Sequence, residues 1–246
     1  MRRGARLVAV AATAGCLTAA GEPQIPPQAL QYFPHISEDA ADTLRHDFRP
    51  EMLASQVEQE SCITLTHSRC WNPEVEFKTA REYGFGLGQI TITYKNGREV
   101  TNRFKELQKD HDPMLAQWRW DDRFNPRYQL RALAVVDRDC LPYALGATGE
   151  DKAAMALACY NGGPGKKSKS GAGLQADRII CRATANCDPN RWWGNVENTS
   201  NKARVPKVGY KQSFFAINRE YPRRILRERI AKYRAYDWNS MPWSVG

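Results

Sequence analysis

The sequence predicts a mainly α-helical domain carrying one small β element. Apolar residues recur at helical spacing in several separated stretches, one short stretch alternates polar and apolar residues, and no internal repeat interrupts them. With 246 residues and 42% apolar content the chain can bury one sizeable core, and 17 Gly and 14 Pro are too few for collagenous or low-complexity classes.

Met1 to Arg6 is basic and precedes a small, apolar run from Leu7 to Ala20, so residues 1–20 read as an export signal too short to span a bilayer. Thr13-Ala14-Gly15-Cys16 is similar to a bacterial lipoprotein box, in which Cys16 would be lipidated; ordinary cleavage near Ala14 or Ala20 is the other reading. Residues 21–44 have the proline density of a linker, with no folded element before Ser37, where a polar helix starts.

Pro50 opens a stronger helix whose inward stripe is Met52, Leu53 and Val57 and whose C-terminal end is Glu60. Residues 62–84 read as irregular, and Gly84 to Gly88 as a flexible turn. Gln89 to Tyr94 alternates and ends at Lys95-Asn96-Gly97, which predicts a hairpin. Arg127 to Asp139 is helical, with Leu130, Leu133 and Ala134 inward and Asp137 outward, and Glu150 to Tyr160 is a helix of small residues. The glycine-rich stretch from Asn161 to Ser168 lacks the spacing of a phosphate-binding loop. A last amphipathic helix is expected from Pro222 to about Tyr236, with Ile225, Leu226, Ile230 and Tyr233 on one side.

Setting Cys16 aside leaves Cys62, Cys70, Cys140, Cys159, Cys181 and Cys187, an even set suited to an oxidising compartment. Cys62 with Cys70 and Cys181 with Cys187 are close in sequence, which leaves Cys140 with Cys159, although sequence alone fixes no pairing and free buried thiols are the alternative. His67 lies between Cys62 and Cys70, but without an evident fourth ligand no metal is expected, and no cofactor. The net charge of +9 is concentrated beyond residue 198, where eleven Lys and Arg face three Asp and Glu. That tail is expected to meet any anionic envelope surface first; the compartment and the lack of a recognition motif argue against nucleic acid.

Four short patterns follow in order: Glu60-Ser61 ending a helix, Gly86-Leu87-Gly88-Gln89 before a β segment, Ala158-Cys159-Tyr160-Asn161-Gly162-Gly163 ending a helix, and the basic aromatic tail. Together they resemble the soluble lytic transglycosylase domain of the lysozyme superfamily over about residues 45–215, in a form that, from Arg81 to Gln89 and Trp118 to Asp137, looks more like bacteriophage members. Gly88 stands where the family often has Met, and Thr79 or Ala80 where it has Ser. The resemblance implies a lysozyme-like (α+β) domain whose small β element lines an active-site cleft, with residues 216–246 as a basic amphipathic helix and tail. It also implies a monomer acting on peptidoglycan glycan strands, exported to the periplasm or cell envelope, as a lipoprotein if Cys16 is acylated, or carried in a phage virion.

The activity so implied is cleavage of the β-1,4 bond between N-acetylmuramic acid and N-acetylglucosamine. A protonated carboxyl must deliver a proton to the leaving oxygen, and burial beside apolar groups raises a Glu into the required range. The resemblance assigns that role to Glu60, which would then act as base on the C6 hydroxyl of muramic acid and leave a 1,6-anhydro end without water. Tyr160 is expected to place its hydroxyl near Glu60, and Gln89 and Asn161 to bind N-acetyl groups or fix the loop. The competing reading within enzymes is a water-using lysozyme with Glu82 as second carboxylate; outside enzymes it is a murein- or membrane-binding module working through the tail. Trp71, Trp118, Trp120, Trp192 and Trp193 could stack on sugars, but large aromatics more often pack in cores, and none is assigned a role.

Overall fold

A computed structural model describes residues 24–45, 48–109, 112–206 and 209–238; the export signal and Cys16 lie outside them. The chain forms α1 (Phe33–Asp42), α2 (Pro50–Ser61), a sheet of β1 (Glu76–Lys78), β2 (Glu82–Phe85), β3 (Ile90–Lys95) and β4 (Arg98–Asn102), and α3 (Arg103–Lys109). It continues with α4 (Pro126–Cys140), α5 (Gly149–Gly162), α6 (Leu174–Arg182), α7 (Phe214–Arg223), a π-helical run Arg224–Arg229 and α8 (Ile230–Arg234). The expected class is therefore seen, a mainly helical α+β chain with one small antiparallel sheet. Among the described residues no helix is long and apolar enough to cross a membrane.

Helix starts follow local chemistry. Pro126 occupies the first turn of α4 while the Asn125 side chain accepts from the Arg127 amide, Thr148 caps α5 by accepting from Asp151 N, and Ser213 caps α7 by accepting from Ala216 N. At the far end of α2, Ser61 Oγ donates to the Val57 carbonyl at 2.7 Å and accepts from Trp71 N at 3.1 Å, so the loop after Glu60 is tied back onto the helix.

The four strands form an antiparallel meander in sequence order. The expected hairpin is β3 and β4, closed by Asn96 and Gly97 with positive φ. Two strands lie in the stretch read as irregular and as a flexible turn. Every residue of β1 is exposed, so it carries no buried face to mark it, and β2 contains Gly84. Only Gly86 to Gln89 turns. A Cβ on Gly86 would sit 2.3 Å from Gln129 Cδ, and Gln129 holds the turn by accepting from Leu87 N at 2.8 Å.

The segment expected to be a linker is structured from Pro27, where a short 3₁₀ turn runs to Tyr32 and leads into α1. Pro27 and Pro34 sit in the first turns of these two elements, where they initiate helix instead of extending chain. Phe33 is fully buried and packs edge-on against Trp71 and Tyr236, and buried Asp39 pairs with Arg127 and Arg131.

The C-terminal element also differs from expectation. Helix begins at Phe214, eight residues before Pro222, and Tyr221, Ile225, Leu226, Ile230 and Tyr233 are buried in the main core. Its cations are largely paired with the body: Arg219 with Asp177, Arg227 with Glu150, and Lys232 and Arg229 with Glu58. Residues 214–238 are thus part of the domain and not an appended basic helix. Truncation before Phe214 is expected to abolish the cooperative unfolding transition, checked by urea denaturation of the disulfide-intact protein; a truncated chain that still unfolds cooperatively would contradict this placement.

Two apolar clusters result. The larger joins the helices around Trp71, Leu53, Leu133 and Tyr233, and the smaller backs the sheet around Phe85, Ile92, Phe104 and Trp118. Trp71, Trp118 and Trp192 are buried in these cores, while Trp193 lies under the Arg227 guanidinium. The three disulfides join Cys62–Cys70, Cys140–Cys159 and Cys181–Cys187, the pairing expected. They are compatible with an exported protein.

Candidate active site

Glu60, Gln89, Tyr160 and Asn161 come together on one cleft of about 800 Å³. The sheet supplies one wall through Phe77, Glu82, Gly84, Thr91 and Thr93; the end of α5, residues 201–203 and the start of α7 supply the other. A smaller recess of about 200 Å³ shares Glu60, Gln89, Tyr160 and Asn161 and adds Arg103 and Val136, so the depression continues beyond Glu60.

Glu60 reaches the cleft because α2 presents its last turn there with its N-terminal turns locked in the core. Burial drives its pKa up to about 7 from an ordinary 4.5, against a hydrogen bond from Tyr221 that favours the anion. The Tyr221 hydroxyl donates to Glu60 Oε1 and fixes the carboxyl's orientation. Beneath this pair lies Asp137, fully buried on α4, contrary to its expected outward position. Its Oδ1 accepts from Gln56 Nε2 at 3.3 Å, one turn before Glu60 on α2. Burial, opposed by the hydrogen bond from Gln56 and reinforced by the nearby Glu60, pushes the Asp137 carboxyl well above the usual carboxylate range.

Tyr160 lines the cleft, but its hydroxyl does not contact Glu60; it donates to the Gly88 carbonyl at 2.6 Å. The ring stacks on Tyr221 with centroids 6.0 Å apart and planes 8° off parallel, so Tyr160 supports Glu60 through Tyr221. A Cβ at Gly88 would come within 3.1 Å of the Tyr160 hydroxyl and 3.3 Å of Leu133 Cβ, a close fit that accounts for Gly where the resemblance has Met. Gln89 holds a positive φ of 46° and donates to the Gly86 carbonyl at 3.0 Å, which fixes the turn. Asn161 sits in the last turn of α5, whose C-cap is Gly163, and its Oδ1 accepts from Asn218 Nδ2 at 3.1 Å.

Tyr221, Asn218 and Lys202 were not identified from sequence. The sequence does carry a signal for Tyr221, since Tyr221 and Asn218 stand four and seven residues before Ile225 and so extend its helical stripe upstream of Pro222. Glu82 lies on the same cleft and accepts from the Tyr210 hydroxyl at 2.5 Å, a bond from the sheet wall to the helical wall. Among the described residues no group of His, Cys, Asp or Glu is placed to hold a metal.

No family model matches the chain, and no curated protein matches it.

Proposed function

We propose that the protein is a lysozyme-like glycan lyase that cuts the β-1,4 bond between N-acetylmuramic acid and N-acetylglucosamine in peptidoglycan, with Glu60 as its single acid and base. One observation carries the reading: a carboxyl whose pKa burial raises to about 7 opens on a cleft between a small sheet and a helical body. That is the equipment glycosidic cleavage demands, because the leaving oxygen needs a proton while positive charge grows at the anomeric carbon.

In the first step Glu60 transfers its proton to the leaving oxygen as the glycosidic bond breaks. The carboxylate so formed, oriented by Tyr221, accepts the proton of the muramic acid C6 hydroxyl as that oxygen bonds to the anomeric carbon. The proton balance closes on one residue, and no water is consumed. Gln89 and Asn161 supply polar groups to the sugars, and Tyr160 holds Tyr221 and the Gly88 turn in register. The disulfides suit the export that such a substrate requires.

Glu82 favours a second reading, hydrolysis, because it shares the cleft with Glu60 and could activate a water from the facing wall. Product mass separates the two. The lyase is expected to leave muramic ends lighter by one water than reducing ends, and Glu82→Gln should still produce them. Reducing ends from the wild type, lost in Glu82→Gln, would establish hydrolysis instead.

A further inference from the structure

Resting on the reading of the cleft as a glycan site, we propose that Lys202 makes the cleft selective for strands bearing a carboxylate beside the scissile bond, over uncharged N-acetylhexosamine polymers.

Lys202 is the only cation among the described residues lining the 800 Å³ cleft. Its two charged companions there are Glu60, which works as a neutral acid, and Glu82, whose carboxylate is bonded to Tyr210. Unlike Arg219, Arg223 and Lys232 of α7 and α8, Lys202 has no carboxylate within ion-pair distance among the described residues. Asp177, the acid whose field it feels, is bonded to Arg219. The ammonium is half-buried and donates to the Gly162 carbonyl at the end of α5, 3.2 Å away. Glycine at 162 leaves the room, since a Cβ there would lie 2.7 Å from Lys202 Nζ and 2.6 Å from Asn218 Nδ2.

One carbonyl uses one of three N–H donors. Burial lowers the Lys202 pKa, with Asp177 opposing the shift and Arg219 adding to it, so the field of Asp177 does not make up for the water the cation has lost. A ligand carboxylate would restore that balance with a charge-assisted hydrogen bond. Glu60 owes its raised pKa to burial, opposed by Tyr221, with no contribution from Lys202. The cation therefore reads a substituent and leaves the reacting centre alone. A muramic acid residue presents such a carboxylate in one of two places, on the stem peptide or, once the peptide is removed, on the lactyl group.

The test compares wild type, Lys202→Met and Lys202→Arg on peptide-bearing strands, amidase-stripped strands and N-acetylglucosamine oligomers. Lys202→Met keeps the apolar stem, and thermal unfolding verifies its fold. Loss of the charged contact is expected to raise KM roughly tenfold on acid-bearing strands with kcat unchanged. Lys202→Arg should recover most of this, and the uncharged oligomer should be unaffected. A loss confined to peptide-bearing strands places the acid on the stem peptide; one confined to stripped strands places it on the lactyl group. Equal losses on all three substrates, or none on either acidic strand, overturn the proposal and leave Lys202 as a cap of α5. Should the wild type cleave nothing, the glycosidase reading fails separately. Titration of Glu60→Gln and Glu60→Gln/Lys202→Met with the same strands still reports whether Lys202 discriminates by charge.

Discussion

Glu60→Gln is expected to abolish clearing of peptidoglycan while leaving the fold and binding to intact sacculi in place. General acid and base catalysis is worth about 10²- to 10⁴-fold, and here one carboxyl performs both steps, so its replacement should cost at least the upper part of that range. Gln retains an oxygen to accept from Tyr221 but has no proton of suitable acidity to give. Since Glu60 must begin protonated and titrates at about 7, kcat/KM of the wild type should hold below that pH and fall by about tenfold per unit above it. The stability of the same variant gives an independent reading. A carboxyl whose pKa rises from 4.5 in the unfolded chain to about 7 in the fold contributes stability below pH 4.5 that is lost as pH climbs to 7. Glu60→Gln should therefore melt above the wild type at pH 8, with the gap closing toward pH 4.5. Retained clearing, or a wild type equal in stability to the variant at pH 8, would contradict the assignment of a dry, protonated Glu60.

How much of this was legible in the chain depends on whether local pattern or tertiary closure decides each element. α2 could be read because Pro50 marks its start and Met52, Leu53 and Val57 mark its buried face, which fixed Glu60 at the exit of the helix. α5 was legible from its small residues, and the disulfides from cysteine spacing. β1 was not, since an edge strand with no buried residue leaves no alternation to detect. α1 was obscured by prolines that serve either a linker or a helix start, and only the burial of Phe33 and Ile36 decides between them. Asp137 inverted its expected side because it faces Gln56 across the α2–α4 contact, a polar layer that an apolar stripe cannot foretell. Tyr221 lies 161 residues from Glu60, and their hydrogen bond exists only once α7 closes on the body.

That closure rests on Arg219, which leads to the second large expected effect. Its guanidinium is buried and donates to Asp177 Oδ2 at 2.6 Å, the Thr199 carbonyl at 2.7 Å, the Glu197 carbonyl at 2.7 Å and Asn218 Oδ1 at 2.5 Å. Asn218 in turn donates to the Ala158 carbonyl and to Asn161, so the ion pair between α6 and α7 leads by hydrogen bonds to the floor of the cleft. Arg219→Met removes the cation and leaves Asp177 buried without compensation, a change that costs about 3–5 kcal/mol. The urea midpoint should fall accordingly, and activity should fall further than the folded fraction explains, because Tyr221 rides on the same helix two residues on. Asp177→Asn in the Arg219→Met background should recover part of the stability by removing the stranded charge, giving a double-mutant cycle with strong coupling. Recovery of stability without activity would show that the guanidinium fork also sets the position of Asn218 and Tyr221. Strictly additive losses would mean that the two side chains stabilise the protein independently, and that the link from α6 to the cleft does not carry the site.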